Sequence, residues 1–296
     1  MLEDRFPDLI PYLAAGLVGS GSECYGYDDE VSRDHDFEPG FCIFLPGEDV
    51  VDRKAAFALE RAYAALPREF MELRRPLVSP VGGARRGVIR IADFMTEKTG
   101  TKDGDLGIMQ WLSLPDYSLA EVVNGEIFED PYGEISKARE RIRRRPADVR
   151  YKKLAGHLLL MAQSGQYNYR RCLHHGETGA AQLAAVKFAE SAMAVTFLVN
   201  EAYQPYYKLS FRAMRELDRL PLMADLLEYL LTTDNEAGTC EEKYDVMEGI
   251  AADVIGELQE QGLTQAVCGD LEKHAYSVND RICDAQIRNL HILAAV

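Results

Sequence analysis

GSGSECYGYDDEVSRDHDFEPGFCIFLP, residues 19–46, sets two glycine–serine pairs and seven acidic side chains ahead of an apolar run. The run FCIFLP has the length and residue types of a buried strand, stopped by Pro46. Asp34-His35-Asp36 stands just before it. On an extended segment the two aspartates point the same way and His35 the other. Neighbouring carboxylates repel each other, and a cation between them removes that cost. Mg²⁺ takes a few protein oxygens and completes its shell with water and phosphate, and Mn²⁺ suits the same donors. Upstream, Gly21 and Ser22, or in the alternative register Gly19 and Ser20, offer backbone that can approach a phosphate closely, with a hydroxyl beside it. One segment therefore carries a candidate phosphate cradle and a candidate metal pair. Asp28-Asp29-Glu30 between them reads as a turn and cap.

A glycine–serine turn followed by Asp-x-Asp leading into a strand resembles the signature of the nucleotidyltransferase superfamily, which includes polymerase-β-like and aminoglycoside-modifying enzymes. The wording of residues 19–41 resembles, more narrowly, a bacterial family of nucleotidyltransferase-like proteins. AQSGQYNYRRCLHHGE and NEAYQPYYKLSFRAM in the second half resemble the same family. The resemblance implies an α+β chain: a mixed α/β nucleotidyltransferase-like domain followed by an all-α helical bundle. It implies that Gly21 and Ser22, or Gly19 and Ser20, hold the triphosphate of ATP or another NTP. It implies that Asp34 and Asp36 hold Mg²⁺ or Mn²⁺. A third carboxylate on a later strand falls to Asp93, the nearest acid on the candidate strand 87–94.

The rest of the chain is read against that expectation. It has 296 residues, 47% hydrophobic and 27% charged, enough for one large domain or two ordinary ones. The formal charge of −15 argues against a protein that coats nucleic acid, which needs clustered cations. RERIRRR, residues 139–145, is the dense basic run, and a solvated helix face is its plain reading. No apolar run reaches the roughly 18 residues of a membrane span, so no membrane partner is expected. The start MLEDRFPDLI lacks the basic and apolar regions of a signal peptide, and six scattered cysteines lack CxxC spacing. A cytoplasmic protein with reduced thiols is the expectation.

Residues 8–17 suggest a short helix and residues 50–67 an amphipathic one. GVIRIADF, 87–94, reads as a strand by period two. Asn124-Gly125 within 121–134 reads as a hairpin. After about residue 135 helical periodicity takes over. The expected domains are 1–120 and 121–296, with the boundary within 115–140.

In the helical half, Lys208 and Arg212 are four apart and share a helix face that can meet phosphate. His174 and His175 are adjacent, so on a helix they point about 100° apart and do not share an ion. The expected function is transfer of a nucleoside monophosphate to a hydroxyl on a small molecule or a protein. The rival is a module of the same fold that binds a nucleotide or a partner without turnover.

Overall fold

The computed structural model describes residues 2–30, 40–67, 69–70, 73–74 and 85–296. The expected metal pair, Asp34 and Asp36, lies outside the described residues. The chain divides into two units: residues 1–107 with 114–144, and residues 108–113 with 145–296.

The first unit is built on a four-stranded sheet. Its strands are β1 (Ala14–Leu17), β2 (Cys42–Leu45), β5 (Gly87–Arg90) and β6 (Glu126–Glu129), in the order β5-β2-β1-β6. A separate antiparallel pair, β3 (Glu69–Phe70) and β4 (Leu73–Arg74), lies between β2 and β5 in sequence. β1 runs antiparallel to both β2 and β6, and β2 runs parallel to β5. All four residues of β2 are buried, which is why it reads as a continuous apolar run rather than an alternating one.

Helices α1 (Leu2–Arg5), α2 (Arg53–Ala64), α3 (Ile91–Thr99), α5 (Asp116–Val123) and α6 (Glu134–Arg143) complete this unit. Ile43 and Leu45 of β2 join Ala56, Leu59 and Tyr63 of α2 in one core cluster. Phe44 meets Phe94 of α3 edge-on, with ring centroids 5.4 Å apart. The Asp52 carboxylate accepts from the Ala55 amide and caps α2, as the amphipathic pattern over 50–67 implies.

Three local expectations are corrected. Residues 8–17 form a 3-10 turn at Ile10–Tyr12 and then β1, because Pro11 starts a turn and the sheet recruits the residues beyond it. The strand expected over 87–94 stops at Arg90, whose guanidinium donates to the Pro46 carbonyl at 2.6 Å; Ile91 opens α3. Asn124-Gly125 does not make a hairpin: α5 ends just before it, and β6 just after it pairs with β1.

The second unit is helical throughout its described residues. It contains α4 (Ile108–Ser113), α7 (Ala147–Met161), a π-helical segment (Ala162–Tyr169), α8 (Arg170–His174), α9 (Thr178–Val199), α10 (Tyr207–Met214), α11 (Met223–Thr232), α12 (Thr239–Glu260), α13 (Leu271–Asn279) and α14 (Ala285–Asn289). α7 packs on α9 and α13, and α11 packs on α9. Two buried lysines tie the bundle. Lys152 donates to Asn279 Oδ1 and to the Leu290 carbonyl, and Lys243 to Gln182 Oε1 and the Thr233 carbonyl. By length and composition α9 could cross a membrane (mean hydropathy 1.4), which the sequence reading did not register; 61% of that window is buried inside the unit. A core helix meets the same criterion because it is apolar on every side.

Candidate functional site

β1 ends at Leu17 and the chain turns at once through Gly19, Ser20, Gly21 and Ser22. Gly19 and Gly21 have φ of 101° and 117°, a region that side chains with a β-carbon rarely enter. Both glycines are therefore required by the turn. Ser22 then opens a 3-10 helix, Ser22–Tyr25. The amides of Ser20, Gly21 and Ser22 make no hydrogen bond among the described residues. Consecutive unpaired amides in a tight turn form a concavity suited to an anion.

The turn is held from three directions. Asn124 grips Gly19 with both ends of its amide: Gly19 N donates to Oδ1 at 2.9 Å, and Nδ2 donates to the Gly19 carbonyl at 2.8 Å. Lys98 of α3 donates to the Ser20 hydroxyl at 3.1 Å, and that hydroxyl donates to Glu121 of α5 at 2.9 Å. Lys98 and Glu121 also pair directly at 2.7 Å. Arg86 reaches the turn from the residue before β5. It donates to the carbonyls of Val18 and Ser20, to Cys24 Sγ and to the Glu23 carboxylate.

Asn124 is itself placed by Arg139. This buried side chain donates to the carbonyls of Val122, Val123, Asn124 and Gly125, closing the C-terminus of α5. Gly125 follows with φ of 58°, and a β-carbon there would lie 1.9 Å from the Leu17 carbonyl oxygen. So the end of α5, the end of β1 and the glycine–serine turn form one connected piece. Arg139 belongs to the basic run read as a solvated face. Arg141, Arg143 and Arg144 are exposed, but Arg139 is not.

The electrostatics follow from this packing. Burial works to lower the Lys98 pKa, but hydrogen bonds and charge from Glu121 and Glu97 outweigh it and the net shift is upward. For Arg86, burial is likewise opposed by Cys24 and Glu23, and the net shift is again upward. Burial pushes the Cys24 thiol up to about 12, against the Arg86 charge.

The remaining expected site residues lie on helices. Asp93 is exposed on the first turn of α3 and not on the sheet. Lys208 and Arg212 are exposed on α10 in the helical unit. Tyr206 and Tyr207 beside them are exposed, with ring centroids 4.6 Å apart. Among the described residues no group of three or more His, Cys, Asp or Glu side chains is placed to hold a metal ion. Among the described residues, Glu23 and Glu121 beside the turn are engaged by Arg86 and Lys98.

The helical unit holds a further depression of about 800 Å³ along the π-helical segment, lined in part by Gln166, Tyr167, Asn168, Glu248 and Asp270. The Gln166 amide is saturated there: it donates to Glu248 and the Gly269 carbonyl and accepts from the Leu271 amide.

Comparison with known proteins adds the following. Residues 111–209, from α4 into α10, match the model of a family described as a domain of unknown function, DUF4037. The crystal structure of a nucleotidyltransferase-like protein from Exiguobacterium sibiricum 255-15 is similar at 12% identity and a TM-score of 0.37. The similarity covers 94% of this chain and 78% of that one. No curated protein matches the chain.

Proposed function

We propose that this chain is a metal-dependent nucleotidyltransferase that moves a nucleoside monophosphate from ATP or another NTP to a hydroxyl on a small molecule or a protein. One observation carries the reading: at the end of β1 three consecutive amides have no hydrogen-bond partner among the described residues, beside a serine hydroxyl that Lys98 contacts. A polyphosphate is the ligand such a turn suits, because unpaired amides and an ammonium both favour concentrated negative charge. In the reaction the acceptor hydroxyl gives up its proton to solvent, its oxygen bonds to the α-phosphorus, the bond from that phosphorus to the bridging oxygen breaks, and pyrophosphate leaves with that oxygen. Positioning and charge neutralisation do most of the work in such transfers. Asp34 and Asp36 would hold Mg²⁺ or Mn²⁺, which supplies charge neutralisation at the phosphates. The net charge of −15 favours a small-molecule or protein acceptor over nucleic acid.

A second reading, a nucleotide-binding or partner-binding module without turnover, draws support from Asp93. That acid stands exposed on the first turn of α3 and not on a strand. Titration of ATP, GTP, CTP and UTP with and without Mg²⁺ tests the proposal, using the wild type and the Asp34→Asn/Asp36→Asn variant. The expected result is metal-dependent binding that the double variant loses. Binding without pyrophosphate release in the presence of candidate acceptors selects the second reading. No binding by folded wild type refutes the nucleotide in both.

A further inference from the structure

The Ser20, Lys98 and Glu121 side chains make a closed triangle: Ser20 Oγ to Glu121 Oε2 at 2.9 Å, Lys98 Nζ to Ser20 Oγ at 3.1 Å, and Lys98 Nζ to Glu121 Oε2 at 2.7 Å. One carboxylate oxygen thus takes the hydroxyl proton and the ammonium charge together. Lys98 is 11% exposed and Glu121 16%, so this is no freely solvated surface pair. A terminal phosphate oxygen asks for the same donors, and the unbonded amides of Ser20 and Gly21 stand next to them.

Building on the nucleotidyltransferase reading, we propose that Lys98 and the Ser20 hydroxyl form the subsite for the terminal phosphates of the nucleotide, and that Glu121 is its internal occupant, displaced when polyphosphate binds. The first glycine–serine pair is then the working register. Ser20 is tied to α3 and α5, whereas the Ser22 hydroxyl has no partner among the described residues. Around the triangle the backbone is held, since Arg139 bonds the end of α5 and Asn124 bonds Gly19, which leaves the Glu121 side chain as the part that moves in this proposal. Lys98 keeps its second carboxylate, Glu97, at 2.7 Å throughout. The upward pKa shift of Lys98 keeps the ammonium charged at neutral pH and fits this role.

The test is calorimetric titration of inorganic pyrophosphate, and separately of Mg·ATP, into the full chain and its Glu121→Gln, Lys98→Met, Ser20→Ala and Ser22→Ala variants. Folding of each is checked by circular dichroism. Removing the competing charge is expected to tighten pyrophosphate binding roughly tenfold in Glu121→Gln. Lys98→Met and Ser20→Ala are expected to weaken it, and Ser22→Ala to leave it unchanged. If Lys98→Met does not fold, Lys98→Arg and the near-isosteric Glu121→Gln decide the matter. Wild type that binds while Glu121→Gln binds no tighter overturns the displacement and leaves the nucleotidyltransferase reading standing. A loss in Ser22→Ala instead of Ser20→Ala overturns the choice of register. Failure of the wild type and Glu121→Gln alike to bind either probe overturns both the subsite and the reading beneath it.

Discussion

Gly125 shows how little latitude the turn region has. Any β-carbon there would overlap the Leu17 carbonyl oxygen, and its φ of 58° already disfavours a side chain. Gly125→Ala is predicted to cost more than about 3 kcal/mol, read as a lower midpoint in urea, because backbone must move at a sheet edge. Asn124→Ala removes both hydrogen bonds to Gly19, at 2.9 and 2.8 Å. A loss of about 1–3 kcal/mol is expected from the unmet buried partners, with weaker nucleotide binding. Asn124→Asp keeps an acceptor for the Gly19 amide but sets an oxygen against the Gly19 carbonyl, and is expected to restore neither the stability nor the binding. At Cys24 the thiolate is the reactive form, and a pKa pushed up to about 12 leaves almost none of it at pH 8. Alkylation of the native protein at that pH is predicted to reach exposed Cys268 and Cys283 and spare Cys24. Fast labelling of Cys24 would contradict the burial described for it. The glycines and serines of the turn were legible in the sequence, since few other residues serve such a bend. Their supporters were not. Asn124 lies 105 residues from Gly19, Glu121 101 from Ser20, and Lys98 78 from Ser20, and no local pattern marks any of them.

At the scale of elements, sequence reading succeeded where one face or both faces of an element are buried. The apolar run of β2 and the amphipathic pattern of α2 announced themselves by period. It failed where partners distant in the chain decide the outcome. Residues 14–17 become a strand because β2 and β6 flank them, and the Asn-Gly pair becomes the link from α5 to β6 because Arg139 closes the helix before it. The basic run gave no sign that one of its arginines points inward. Arg139→Met is therefore predicted to act at a distance, loosening the end of α5 and with it the grip of Asn124 on Gly19. A double-variant cycle with Asn124→Ala should show nucleotide affinities that do not add, with coupling of about 0.5–3 kcal/mol. Strict additivity would mean that Arg139 supports the helix without positioning the turn.

At the scale of the molecule, the described residues make a sheet-centred unit and a helical unit. The α+β character was legible because strand and helix periods separate along the chain. The acidic balance was legible too; it argues against broad nucleic-acid binding and leaves open which ligand the protein takes. That choice rests on the turn after β1. The most direct test follows the backbone amides of Ser20, Gly21 and Ser22 by NMR while Mg·ATP is added. These amides are expected to shift together and saturably, and to need more Mg·ATP to do so in Ser20→Ala. Saturable shifts confined to other parts of the chain, with the turn unmoved, would contradict it.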